Sequence, residues 1–348
     1  MNTDLTKYGL NQRFKQEATL YKDLQPGRVT AQHRGIYQLI TQNGQANARV
    51  SGKFAYDNEA DQLNFPSVGD WAMVDGNNTI HNTLTRKTLL TRQQAGVSKD
   101  MQAIAANIDI VFICMSLNND FNINRLDRYL AIAWDSMATP VIVLTKADLC
   151  IDLQDKLAQV ESAAIGVSIV ICHGGHGDFS QYMQEGVTVA FIGSSGVGKS
   201  TLINSLMGED IMVTSHISNH EDKGRHTTTH RQLLMLPGGS MVIDTPGMRE
   251  LQLGYTDISM AFDDIEALAK GCKFRDCSHT GDAGCGVQAA IKSGTLTRKR
   301  FESYQKLQRE SDYSGLNHKE IHIKKQGGKK QMKEFKQYRN YLKQKGKR

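Results

Sequence analysis

Residues 187–204 read Val-Thr-Val-Ala-Phe-Ile-Gly-Ser-Ser-Gly-Val-Gly-Lys-Ser-Thr-Leu-Ile-Asn. An apolar, β-branched run ends at Gly193, and a helical run begins after Ser200. Between them, Gly193-Ser194-Ser195-Gly196-Val197-Gly198-Lys199-Ser200 has the form Gly-x4-Gly-Lys-Ser. A phosphate-binding loop requires this strand–loop–helix setting. Its glycines let the backbone wrap tightly and aim N–H groups at phosphate oxygens. Lys199 is expected to reach the β- and γ-phosphates, the Ser200 hydroxyl to ligate Mg²⁺, and Thr201 to touch the α-phosphate. A glycine-rich turn that binds no nucleotide is the competing reading, and the flanking elements argue against it.

Working outward, IDIVFICMSL, PVIVLTKADL, SIVICH, QLLMLP and SMVIDTPG are further near-continuous apolar runs. Such runs predict strands buried on both faces, in a mostly parallel sheet flanked by helices. Asp244-Thr245-Pro246-Gly247 closes the last of them. Asp244 is expected to hold Mg²⁺ through water, and the Gly247 N–H to sense the γ-phosphate. Ras-like enzymes carry a water-positioning Gln after this glycine, whereas this chain has Met248. An apolar side chain cannot orient water, so unassisted hydrolysis should be slow. Lys223-Gly224-Arg225-His226-Thr227-Thr228-Thr229 lies between the two motifs. Thr228 or Thr229 would give a second Mg²⁺ ligand, His226 is the candidate to assist water, and Arg225 could stabilise developing charge. Alternatively, His226 and Arg225 are surface residues of a mobile loop.

Thr145-Lys146-Ala147-Asp148 follows the buried run PVIVL and has the form of the Asn-Lys-x-Asp motif that reads guanine. Asp148 would accept from N1–H and the 2-amino group, donors that adenine lacks; an unpaired carboxylate there costs about 1–3 kcal/mol. Lys146 would lay its stem along the base. Thr145 replaces Asn with a shorter group, so the loop should be tied less firmly and guanine bound more weakly. If selection is lost altogether, an ATP-dependent enzyme follows. The loop that backs the base should follow SIVI, where the chain reads Cys172-His173-Gly174. The base motif therefore precedes the phosphate loop, the reverse of the usual order. This is a circular permutation, closed by the linker GHGDFSQYMQEG.

Cys272-x4-Cys277-x-His279-x5-Cys285 sets four soft ligands within fourteen residues. Three thiolates and one imidazole fit a closed tetrahedral site, so one structural Zn²⁺ is expected, standing in for a core this short segment cannot build. Redox-active thiols or chance clustering are the alternatives. Cys114, Cys150 and Cys172 sit in or beside apolar runs and read as small buried hydrophobes.

At 348 residues there is room for roughly two or three domains. Residues 27–92 break into five short strand-like runs, GRVTAQHRG, YQLITQNG, ANARVSGKFAYD, SVGDWAMVDG and TIHNTLTRKTLLTR, which fit a barrel of the oligonucleotide-binding type. Arg28, Arg34, Tyr37, Arg49 and Lys53 are interleaved there and would suit single-stranded RNA if they share a face, while Trp71 reads as core. The net charge of +6 is uneven. Residues 324–348 hold eleven Lys or Arg against one acid, leaving 31 bases and 35 acids elsewhere. Such a tail suits a polyanion such as RNA, or serves only as a solvated terminus. Met332, Phe335, Tyr338, Tyr341 and Leu342 give it an amphipathic helical pattern. The N-terminus lacks an apolar signal core, and no run approaches the ~20 apolar residues of a membrane span. A cytoplasmic protein, not bound to membrane, is expected.

The combination resembles the ribosome small-subunit-dependent GTPase A (RsgA) family of circularly permuted GTPases. The resemblance runs through GRV, VGDW, AANIDIVF, FNINRLDRYL, GSSGVGKSTLIN, GRHTTT, DTPGMRE and C-x4-C-x-H-x5-C, in that order. It implies an N-terminal oligonucleotide-binding barrel (1–95), a central α/β P-loop GTPase (96–255) and a mostly helical zinc domain with a basic tail (256–348). It also implies binding of GTP/GDP, and of the small ribosomal subunit with its rRNA during late assembly, with hydrolysis stimulated by that subunit. A monomer is expected. The apolar residue after DTPG belongs to the family pattern, whereas Thr145 and Cys172-His173 depart from it.

Overall fold

Strand alternation and turn chemistry build the first part of the chain. The computed structural model describes residues 2–59, 61–93, 101–209, 231–244 and 256–314. Strands β1 (Gln25–His33), β2 (Ile36–Thr41), β3 (Gly44–Val50), β4 (Trp71–Val74) and β5 (Thr79–Thr83) pair in the order β1-β2-β3-β5-β4, and β4 returns to β1 to close a five-stranded barrel. Val29, Leu39, Ala48, Ala72, Val74 and Ile80 fill it. A 3-10 turn at Leu5–Tyr8 and helix α1 (Gln12–Ala18) pack Leu5, Leu10 and Phe14 against Trp71, Met73 and Leu84.

Two of the expected strand runs divide. In ANARVSGKFAYD only the first half is strand. Ser51 Oγ accepts from the Phe54 N–H at 3.1 Å and caps helix α2 (Gly52–Asp57), which buries Phe54. In TIHNTLTRKTLLTR, β5 ends at Thr83, and β6 (Leu89–Gln93) leaves the barrel to pair with β7 (Met101–Ala106). The barrel residues proposed for RNA divide as well. Arg28 and Tyr37 are buried, while Arg34, Arg49 and Lys53 are exposed. Arg28 lies over the Trp71 ring and donates to Asn107 O and Thr188 Oγ1, so it is a structural strut. Desolvation lowers its pKa to about 10.

The apolar runs form β8 (Ile110–Ser116), β9 (Thr139–Thr145), β10 (Ser168–Ile171), β11 (Thr188–Ile192), β12 (Gln232–Met235) and β13 (Met241–Asp244). Their order is β10-β9-β8-β11-β13-β12, parallel except for β12, and β12 meets β1 at Ala31–Gln232 to join barrel and sheet. Helices α3 (Ile123–Asp135), α4 (Leu153–Ala163) and α5 (Lys199–Met207) accompany them. The linker that closes the permutation is itself packed. Phe179 is buried against Phe112 at 5.2 Å between ring centroids, and Tyr182 sits 5.7 Å from the same ring.

After a 3-10 turn at Ser259–Phe262 come α6 (Asp263–Ala269), α7 (Gly286–Ser293) and α8 (Arg298–Ser314). Phe262, Ile265, Val287, Phe301, Tyr304 and Leu307 belong to the same apolar cluster as Leu126, Tyr129 and Leu130 of α3. The C-terminal helices therefore share a core with the sheet domain, so a metal is not their sole support. Asp127 of α3 is buried and accepts from Arg300 Nη1 at 2.7 Å and Ser303 Oγ at 2.6 Å, both on α8. Arg128 reaches Glu310 at 2.6 Å. The basic tail, the segment 223–229 with His226, Thr228 and Thr229, and Gly247 lie outside the described residues.

Candidate functional site: a nucleotide pocket and a cysteine–histidine cluster

Parallel register brings the phosphate-loop elements to one edge of the sheet. β11 pairs with β8 on one side and with β13 on the other, Ala190 opposite Ile243. Gly193 thus leaves β11 beside the end of β13, where Asp244 stands. Gly193 has φ +143°, and a Cβ there would lie 2.4 Å from Cys114 O, so only glycine fits against β8. Gly198, at φ +103°, opens α5 and aims its first turn at the loop. Val197 is buried, Ser195, Gly196 and Thr201 are exposed, and Ser200 is half-buried. Lys199 Nζ donates to Gly193 O at 2.7 Å and Ser194 O at 2.6 Å, poised along the loop.

The base motif docks onto this loop. Thr145 is buried, and its Oγ1 donates to Val197 O at 2.6 Å. The short hydroxyl thus makes a direct tie between the two loops. Lys146 adopts a left-handed backbone (φ +58°) and donates from Nζ to Gly196 O at 2.9 Å. Ala147 N–H bonds Cys172 O at 3.1 Å. Asp148 Oδ1 accepts from the Gly174 N–H at 3.0 Å, and this bond holds its pKa below the usual carboxylate range. The His173–His176 turn also lies against α5: His176 Nδ1 is 3.0 Å from Ser205 Oγ, and a Cβ on Gly175 would meet Thr201 Cγ2 at 2.9 Å. Cys114 and Cys172 are fully buried and Cys150 half-buried. Burial pushes the Cys114 thiol up to about 12 and that of Cys172 to about 11, so both stay protonated.

One group beside the loop escaped the sequence reading. Asp120 and Arg125, in the turn before α3 and its first turn, both bond Ser194 Oγ. Arg125 falls inside FNINRLDRYL and Asp120 just before it, and no spacing rule assigns such residues to a loop some seventy positions later.

The ligand atoms of Cys272, Cys277, His279 and Cys285 lie within 4.8 Å of one another. Cys272 Sγ and Cys285 Sγ are 3.9 Å apart, and His279 Nδ1 is 3.5 Å from each. Tetrahedral zinc, with bonds near 2.3 Å to sulfur and 2.0–2.1 Å to nitrogen, requires separations of about 3.8 and 3.5 Å. The donor set therefore fits that ion. Backbone N–H groups of Gly286 and Gln288, at the start of α7, reach Cys272 Sγ at 3.3 Å and Cys285 Sγ at 3.4 Å. Gln288 Nε2 holds His279 O at 2.6 Å. These outer contacts orient the ligands.

A phosphate loop, a base motif that precedes it and a permuted parallel sheet define a circularly permuted GTPase, here with an N-terminal barrel and a C-terminal cysteine–histidine cluster. Residues 83–254 match the RsgA GTPase family. The small ribosomal subunit biogenesis GTPase RsgA 2 of Lactiplantibacillus plantarum is 50% identical over 349 residues, spanning 97% of this chain and 99% of its own. The small ribosomal subunit biogenesis GTPase RsgA 1 of Listeria innocua is 44% identical over 315 residues, spanning 89% and 90%. Among solved structures, YjeQ from Thermotoga maritima superposes with a TM-score of 0.62 at 26% identity, covering 84% of this chain and 100% of that one. YloQ, described as a circularly permuted GTPase, shares the fold with a TM-score of 0.60 at 23% identity, covering 85% and 98%. This chain belongs to the RsgA GTPase family and is a GTP-hydrolysing enzyme.

Proposed function

We propose that this protein binds the small ribosomal subunit and hydrolyses GTP during late subunit maturation, with turnover stimulated by the subunit. The observation that carries the reading is the convergence of Thr145, Lys146 and Lys199 on carbonyls of one loop, in a chain whose relatives are named for small-subunit biogenesis. In this reading the loop N–H groups of 193–200 cradle the phosphates, Lys199 carries positive charge to the β- and γ-phosphates, and Asp148 reads the guanine edge. Mg²⁺, when bound by Ser200 and Asp244, neutralises charge on the transferred phosphoryl group. Thr228 or Thr229, His226 and Gly247 complete the set in the segments that sense the γ-phosphate. Met248 offers no hydrogen bond to water, so the subunit is the source of stimulation. Mixing the protein with purified small subunits should raise the turnover rate at least tenfold over the free protein. No stimulation would favour a second reading that Met248 also permits, a module whose RNA affinity is set by GTP and whose hydrolysis is incidental.

Asp148→Asn should lower GTP affinity at least about tenfold and shift preference toward xanthosine triphosphate, because an amide offers a donor where guanine also presents one. Unchanged preference in competition binding would remove Asp148 as the base reader.

Cys272, Cys277, His279 and Cys285 are proposed to hold one structural Zn²⁺, which would cross-link the turn before α7. Elemental analysis should find one zinc per chain, and chelation should lower the melting temperature while leaving α6 to α8 docked, because they also pack on α3. A metal-free protein of full stability would defeat the assignment. Arg34, Arg49 and Lys53 on the barrel and the basic run 324–348 are the proposed rRNA contacts. Division at 1–95, 96–255 and 256–348 is proposed, with the β6–β7 ribbon linking the first two parts. The protein is proposed to act as a cytoplasmic monomer; no described helix is long and apolar enough to cross a membrane.

A further inference from the structure

A carboxylate stands against the outside of the phosphate loop. Asp120 Oδ2 accepts from Ser194 Oγ at 2.6 Å and from Arg125 Nη1 at 2.7 Å, and the same Arg125 nitrogen is 2.8 Å from Ser194 Oγ. The backbone around the group is also built: Asn118 Oδ1 accepts from the Asp120 N–H at 3.0 Å, and Asn122 Oδ1 accepts from the Arg125 N–H at 3.1 Å to cap α3. Burial alone raises the Asp120 pKa, but bonds from Arg125 and Ser194, aided by the charges of Arg125 and Lys146, bring it below the usual carboxylate range. Asp120 is therefore ionised at neutral pH.

Its position matters because Ser194 serves two partners. The hydroxyl bonds Asp120, while the main-chain carbonyl accepts from Lys199 Nζ. A negative charge thus lies a few bonds from the lysine that meets the phosphates, and it would repel a polyphosphate. At a separation of roughly 12 Å and an effective dielectric of roughly 60, one unit of unbalanced charge changes affinity about twofold per ligand charge. Arg125 cancels that charge while joining Asp120 in holding the Ser194 side chain.

We propose that Arg125 is a positioning residue for the nucleotide: it neutralises Asp120 at the phosphate loop and so sets how strongly GTP is bound relative to GDP. The ratio responds because GTP brings more negative charge than GDP to the same loop, while loop geometry affects both ligands. The proposal rests on reading residues 193–200 as the phosphate loop.

The test uses the full-length protein with Mg²⁺ and measures dissociation constants for fluorescent GTP and GDP analogues. Arg125→Gln should weaken GTP about fivefold and GDP about twofold, so that the GTP-to-GDP affinity ratio falls. Asp120→Asn, which leaves the guanidinium unbalanced, should raise the ratio about twofold. The double variant Asp120→Asn/Arg125→Gln should return it to the wild-type value, and Arg125→Lys should keep most of it. Equal losses for both nucleotides in Arg125→Gln, with no recovery in the double variant, would show a purely structural part and overturn the proposal. If Arg125→Gln does not fold, Asp120→Asn decides alone: an unchanged or lowered ratio overturns it. Lys199→Ala serves as the separate control, since undiminished binding in that variant would show that the loop itself has been misassigned.

Discussion

Replacing Lys199 with alanine is expected to lower GTP turnover by about 10²- to 10³-fold, the cost typical of removing one pre-aimed electrostatic group from a transition state. Lys199 Nζ lies on the carbonyls of Gly193 and Ser194, so the loop holds the ammonium where phosphate oxygens would displace those weak partners. The loop should otherwise persist in the variant, because Gly193 still fits against Cys114 O and Thr145 Oγ1 still holds Val197 O. A melting temperature near the wild-type value would separate lost chemistry from lost folding. Single-turnover hydrolysis within threefold of wild type, in the presence of small subunits, would remove Lys199 from the mechanism.

The second large effect concerns stability. Asp70 is fully buried in the VGDW segment, and its two carboxylate oxygens accept from Arg86 Nε at 2.8 Å and Nη2 at 2.7 Å. One of them also accepts from the Ser67 N–H at 2.7 Å. Arg86 continues to Leu63 O and Phe65 O, so this ion pair pins the loop that enters β4. Asp70→Ala would leave a largely buried guanidinium without its counter-charge and is expected to cost about 3–5 kcal/mol. For a chain of this size that corresponds to a melting temperature lower by roughly 6–15 °C. Arg34→Ala, at an exposed turn position, should change stability by less than about 0.5 kcal/mol and serves as the control. A drop of less than 2 °C for Asp70→Ala in thermal denaturation would contradict the role given to the pair.

Much of this architecture is legible in residue order because its signals are local. Six apolar runs became six strands of one sheet, since a strand buried on both faces has little freedom to be polar. The phosphate loop and the cysteine–histidine cluster are short motifs whose chemistry and spacing are contained within about fourteen residues. Errors arose where burial depends on distant chain. Arg28 and Tyr37 would suit RNA only on a shared exposed face, yet Arg28 is sealed beneath Thr188 and Asn107, about 160 and 79 positions away. One further difference is local: the run ANARVSGKFAYD reads as one strand, but Ser51 caps a helix in its second half.

The sequence by itself determined that the base motif precedes the phosphate loop, and hence that the sheet is permuted. The order of motifs along the chain, and the apolar runs and glycine-rich turns that mark them, are properties of neighbouring residues; the order of strands across the sheet is not. Tertiary structure alone decided how the two motifs are joined. Thr145 carries a shorter group than Asn, and β9 and β11, which flank β8, bring its hydroxyl to 2.6 Å from Val197 O. The same closeness sets Asp120 and Arg125 on Ser194, and α3, carrying Arg125, on α8. A hydrogen bond is decided over a few tenths of an ångström, and only the packed sheet fixes distances that finely between residues so far apart in the chain.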